Sequence, residues 1–137
     1  MKAALVQLIR SLNARGWSPA TSTNYSFIDE HQQCWVSRSG VNKADFTEQD
    51  FMSIDDSGTG SGMFHGVKPS DETQIHLWIY RHFPEAKVIL HSHGKYPVLI
   101  SQFNEDFFPV QGYEIQKGFK GCTNHLDSLQ IPIIDNQ

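Results

Sequence analysis

The sequence predicts an α/β domain, and three observations predict it. An amphipathic helical segment opens the chain, a second one spans roughly residues 68–86, and short apolar or β-branched runs bounded by turn residues alternate with them. At 137 residues, 39% hydrophobic and 19% charged, the chain has the size and balance of one globular domain covering residues 1–137.

In "MKAALVQLIRSLNARGW", Ala4, Leu5, Leu8, Ile9 and Leu12 recur at helical spacing, and Gly16 stands where a glycine ends a helix. Gln7 and Arg10 interrupt the apolar run and no small-residue cleavage site follows, so the segment reads as a helix and not as a leader. "SPATSTNYSFIDE" is a hydroxyl-rich loop running toward a strand, and "CWVSRSG" is a short strand ending in a glycine turn. "ADFTEQDFMSIDD" combines a helical turn with a strand, and "SGTGSG" is a connection too short to link domains. "KPSDETQIHLWIYRHFPEA" reads as a helix with Ile75 and Ile79 on its apolar face, capped by Ser70 with Thr73 three residues on. "AKVILHSH" is the clearest strand. "YPVLISQF" reads as a helix begun near Pro97, "GYEIQKGFKG" as a turn into a short helix, and "LQIPII" as a last strand.

Composition narrows the function. A net charge of −4 without any run of Lys or Arg favours neither nucleic acid nor an anionic membrane as partner, which leaves a small molecule. Cys34 and Cys122 are too few for a disulfide framework and lack metal or redox spacing, so they read as reduced thiols of a cytoplasmic protein. No stretch approaches the ~20 apolar residues that span a bilayer.

"HSH" holds the most chemistry. Residues i and i+2 of a strand share a face, so His91 and His93 project together and offer a two-pronged metal grip. Imidazole suits Zn²⁺, and catalytic zinc commonly has three protein ligands and one open position. A His-x-His arises by chance about 0.35 times in a chain with this histidine content. The pattern alone therefore also fits two exposed or hydrogen-bonded strand histidines.

Four blocks in order, "GWSPATSTNYS", "SRSGVNKADFTEQDF", "KPSDETQIHLWIYRHFPEAKVILHSH" and "GYEIQKGFKG", resemble the class II aldolase/adducin family over nearly the whole chain. The resemblance implies a three-layer α/β/α domain of which residues 1–137 are the N-terminal part, assembly as a homotetramer, and a sugar-phosphate substrate. It also implies one Zn²⁺ per subunit on His91, His93 and a later histidine. Family members continue for several tens of residues beyond the position of Gln137, through elements that carry that histidine, so the domain is expected to be incomplete at its C-terminus. His125 does not match the third-ligand position and reads as a turn histidine. His76 and His82 on the predicted helix, and His31 and His65 in loops, match it no better.

Within the family, the resemblance is strongest to members that dehydrate 5-methylthioribulose 1-phosphate to the 2,3-diketo-5-methylthiopentyl 1-phosphate in methionine salvage. "GYEIQKG" and "SRSGVNK" favour that lyase over a sugar-phosphate aldolase. A non-catalytic interaction module of the adducin type is the other reading, against which His91, His93 and Glu114 speak. Dehydration removes a proton next to the carbonyl and expels the neighbouring hydroxyl through an enediolate, whose charge a metal stabilises. By resemblance Glu114 is the acid/base glutamate and Glu72 the carboxylate that aldolases use as base near the metal; each alone also fits an acid at a helix start. Phosphate is expected at hydroxyls and N–H groups of turns: Ser22 and Asn24 in "TSTN", Ser39 and Gly40 in "SRSG", and Ser70 in "KPS", with Lys43 and Lys68 as charge partners. Thr23 stands where the family usually has glycine. A positive φ there would strain a β-branched residue.

Overall fold

Helix α1, Lys2–Ala14, forms where the periodicity predicts and buries Leu5, Val6, Ile9 and Leu12. Ala4 and Leu8 lie outside that stripe. Its end is a Schellman motif: Gly16, at φ +75°, donates to the Asn13 carbonyl at 2.8 Å, and Trp17 donates to the Leu12 carbonyl at 3.1 Å. A computed structural model describes residues 1–103 and 106–134 of the chain. It comprises two compact units, residues 1–94 and residues 95 onward.

The first unit contains four strands, β1 (Asn24–Ile28), β2 (Cys34–Ser37), β3 (Phe51–Ile54) and β4 (Val88–His91), and a second helix, α2 (Thr73–His82). The strands form one antiparallel sheet in the order β3-β2-β1-β4. Alternation along β1 sends Tyr25 and Phe27 to one face, where they join Phe51 of β3, Phe46 and the buried stripe of α1. The opposite face carries Cys34, Val36, Met52 and Ile54, covered by Leu77 of α2 with Tyr80 packed alongside. Helix, sheet and helix thus make the three layers, with an apolar cluster on each interior face. Burying one such Phe or Ile stabilises the fold by about 1.5–3 kcal/mol. Gly60 lets two segments approach closely, because a Cβ there would lie 2.1 Å from the Phe64 carbonyl oxygen.

Two expectations for α2 are corrected. Its packed face is Thr73, His76 and Leu77, whereas Ile75 is exposed. That stripe, continued by Tyr80 at i, i+3, i+4 and i+7, faces the sheet because Val36, Met52 and Ile54 offer an apolar floor there. Ser70 does not cap the helix with its side chain. The residue at the cap position is Glu72, and the Ser70 oxygen instead accepts from Asn24 Nδ2.

In the second unit, α3 (Lys95–Phe103) carries Pro97 in its first turn, where a missing N–H costs nothing. Strands β5 (Phe107–Val110) and β6 (Leu129–Pro132) pair antiparallel in register Phe107↔Pro132 to Val110↔Leu129. "GYEIQKG" forms the expected short helix as a 3-10 turn over Glu114–Gly118. Beneath it the buried Gln116 accepts from the Tyr113 N–H at 2.8 Å and donates to the Asp127 carbonyl. Among the described residues no helix is long and apolar enough to cross a membrane.

Candidate metal centre

Antiparallel pairing of β4 with β1 sets His91 opposite Asn24 and Ile89 opposite Ser26. The alternation of side chains then turns Asn24, Ser26 and His91 toward α2. His93 lies two residues beyond His91, held by its own N–H bond to the Trp17 carbonyl at 2.8 Å, and the two imidazole centroids are 4.7 Å apart. Glu72 occupies the N-cap of α2, but its carboxylate does not cap the helix. It reaches the sheet instead, where Oε2 lies 3.1 Å from His91 Nδ1 and accepts from Asn24 Nδ2. One ligand atom each from Glu72, His91 and His93 fall within 4.8 Å of one another, and all three residues are half-buried.

Two imidazoles and a carboxylate with an open approach are a donor set that suits a divalent cation, zinc among others. The sequence reading paired the histidines by geometry and put Glu72 near them by resemblance. The fold places that carboxylate within contact of His91, as a third donor from this chain itself.

His76 lies behind the cluster. Its Nδ1 is 2.6 Å from Ser26 Oγ, which is in turn 2.8 Å from the Tyr80 hydroxyl. Burial, and secondarily the nearby His91, push its pKa down to about 4, so the ring is neutral at neutral pH. Burial likewise raises the Tyr80 phenol above its ordinary range. The buried network was missed because the apolar stripe of α2 was assigned to Ile75 and Ile79. The signal was the Thr73, His76, Leu77, Tyr80 spacing, which places a histidine mid-stripe.

The phosphate candidates converge in part. Arg38 and Pro69 form a β-bridge, so the "SRSG" turn lies against "KPS", and Asn24 Nδ2 donates to Ser70 Oγ at 3.1 Å, which joins "TSTN" to both. Ser39 and Gly40 are exposed on that turn, with Gly40 at φ +74°. Ser22 spends its O–H on the Pro19 carbonyl at 2.6 Å. Lys43 does not reach the surface: its side chain is buried, its ammonium donates to the Val41 carbonyl at 2.9 Å, and burial lowers its pKa. Lys68 is exposed and paired with Asp71 at 2.8 Å. Arg38, a cation on the bridged turn, was not selected from the sequence. Thr23 does take the left-handed conformation, at φ +78°, and among the described residues its buried hydroxyl and the Asn24 Oδ1 have no partner. Glu114, in the second unit, is exposed and paired with Lys117 at 2.7 Å.

Residues 3–137 match the family described as the Class II Aldolase and Adducin N-terminal domain. A methylthioribulose-1-phosphate dehydratase of Picosynechococcus sp. is 43% identical over 137 residues, covering 98% of this chain and 65% of that protein. One from Klebsiella pneumoniae subsp. pneumoniae is 39% identical, covering 98% of this chain and 66% of that protein. The chain thus spans about two thirds of the length of the curated relatives it matches. Among solved structures, the L-fuculose-1-phosphate aldolase of Thermus thermophilus superposes with a TM-score of 0.67 at 26% identity, covering 85% of this chain and 57% of the aldolase. Escherichia coli YgbL, at 20% identity and a TM-score of 0.70 over 85% of this chain and 57% of its own, shares the fold. The chain belongs to the class II aldolase and adducin N-terminal domain family.

Proposed function

We propose that this chain provides the metal-holding and phosphate-holding residues of a hydro-lyase that dehydrates 5-methylthioribulose 1-phosphate to the 2,3-diketo-5-methylthiopentyl 1-phosphate, in the cytoplasm, as a zinc-dependent homotetramer. The observation that carries this reading is one neighbourhood within the first unit. Glu72, His91 and His93 cluster there, and Asn24 and the Arg38–Pro69 bridge tie that cluster to the "KPS" and "SRSG" turns. The names of the curated relatives supply the substrate.

His91, His93 and Glu72 would hold the cation. Bound there, a divalent metal supplies Lewis-acid stabilisation of the negative charge that develops on the substrate oxygens. The remaining work belongs to the chain. The Ser39 and Ser70 hydroxyls and the Gly40 N–H donate to the phosphate, since Ser70 only accepts from Asn24 and keeps its own O–H for the ligand. Arg38 adds a positive charge on the same turn. Glu114 accepts the proton from the carbon next to the carbonyl and protonates the hydroxyl leaving the neighbouring carbon as water. The resulting enol then ketonises, and atoms balance as substrate to diketone plus water.

Incubating the zinc-loaded chain with 5-methylthioribulose 1-phosphate tests this. The expected result is a product one water lighter by mass spectrometry, with a rate reduced by ~10²–10⁴ in Glu114→Gln. Retro-aldol fragments would move the chain to the aldolase reading, which the contact of Glu72 with His91 favours. Zinc binding without turnover would support the non-catalytic reading.

A further inference from the structure

We propose that the cavity at the far end of α2 from Glu72 is a binding site for a free α-amino acid with an apolar side chain. It shares no residue with the metal centre, so its failure would leave that reading untouched.

A cavity of about 380 Å³ opens between the turn joining β1 to β2, the loop after β3 and the last turns of α2. That volume falls at the lower end of the ~300–1,000 Å³ usual for small-molecule sites. Its floor is apolar, made by Ile28, Ile54, Leu77 and Tyr80. The buried Cys34 thiol joins the floor as an uncharged group, because burial, and secondarily the Asp56 charge, push its pKa up to about 12. The polar atoms nearby are already engaged: the Tyr80 hydroxyl bonds Ser26 Oγ at 2.8 Å, and the Gln33 amide donates to the Cys34 and Ile54 carbonyls. Such a floor suits a hydrocarbon tail.

The rim holds a cation and an anion that do not neutralise each other. Arg81 donates to the backbone carbonyl of Asp56, and Gln74 of the same helix donates to the Ser57 carbonyl at 2.8 Å. Two side chains of α2 thus clasp the loop by its backbone, which leaves the Asp56 side chain uncommitted at the mouth. Among the described residues its carboxylate has no ion-pair or hydrogen-bond partner. Asp55 differs, since one of its oxygens accepts from the Ser57 N–H, the Ser57 hydroxyl and the Thr59 N–H and holds the loop together. The rest of the Arg81 fork matches a carboxylate, and the Asp56 carboxylate matches an ammonium. An anion alone would meet the charges of Asp55 and Asp56, and a cation alone that of Arg81. An apolar amino acid satisfies the rim pair and the floor together.

Amide shifts of the isotope-labelled chain in NMR spectra, followed while L-leucine is added, test this. The expected result is saturable binding, half complete at about millimolar concentration or below, with the largest shifts at Cys34, Leu77 and Arg81. Isoamylamine and isocaproate carry the same tail with one charge each, and L-serine carries both charges without the tail. Each should bind at least about tenfold more weakly than L-leucine. Arg81→Gln and Asp56→Asn, both at exposed positions, should each weaken L-leucine binding about five- to tenfold, with far-UV circular dichroism checking that they fold. No saturable binding up to about 20 mM L-leucine, shifts centred elsewhere, or an affinity that neither substitution changes would overturn the proposal. Isoamylamine or isocaproate binding as tightly as L-leucine would overturn it as well, because one charge of the rim pair would then do no work.

Discussion

Residues 1–94 and residues 95–134 differ in how they treat their apolar side chains. In the first unit both sheet faces are covered, one by α1 and one by α2, and Ile9, Tyr25, Phe27, Phe46, Phe51 and Met52 are essentially inaccessible. In the second, among the described residues, Val110 is the one large apolar residue counted as buried, while Phe103 and Ile115 are 82% and 74% exposed. The hydrogen-bonding side chain Gln116 takes the interior place there. The lesson concerns the site. Asn24, His91 and Glu72 at the cap of α2 belong to elements packed over the first unit's core, and His93 follows β4 directly, so the candidate metal cluster is held by packed layers. Glu114 stands in the unit whose large apolar side chains are mostly exposed.

The sharpest way to break this contrast is to remove one large apolar side chain from each side. Phe51→Ala should lower stability by about 3–5 kcal/mol, since the ring leaves a cavity against Phe27 and Phe46. Ile115→Ala should stay within about 0.5 kcal/mol, as expected of an exposed side chain. Urea unfolding of both variants checks the pair, and comparable losses would dissolve the distinction.

Next in size is the buried imidazole behind the cluster. The folded-state pKa of His76, about 4, lies below its ordinary value of 6.5, so the unfolded chain takes up the proton first as pH falls. The neutral ring therefore supports the native state in full above pH 6.5, and its contribution declines by up to about 3 kcal/mol on the way to pH 4. Measured with a chelator present, wild type should lose that much stability relative to His76→Gln across this window. A constant difference between the two would show that the ring is not held neutral.

The smallest effect refines the picture of Thr23. Replacing it by glycine relieves a left-handed β-branched residue and removes an unpaired buried hydroxyl, which should stabilise the chain by about 1 kcal/mol in urea while leaving zinc affinity unchanged. A destabilised Thr23→Gly would mean that the side chain has a packing role.

Local chemistry was legible in the sequence and long-range contact was not. The stripe and the glycine end of α1 follow from neighbours within a few residues, and so does the shared side of His91 and His93. The failures lie where partners are far apart. The face of α2 is chosen by Val36, Met52 and Ile54, and the oxygen of Ser70 is claimed by Asn24 46 residues away. β5 was missed because "FFPV" is short and contains Pro109, which a two-stranded ribbon tolerates. Glu72 was visible only through the family motif, since nothing local distinguishes it from any acid at a helix start.

The central claim is the metal centre, and elemental analysis of the purified chain after zinc loading and dialysis tests it most directly. The account predicts about one zinc per chain, lost in the His91→Ala/His93→Ala variant, as a site built on two imidazoles requires. A metal-free wild type, or zinc retained by the double variant, would contradict it.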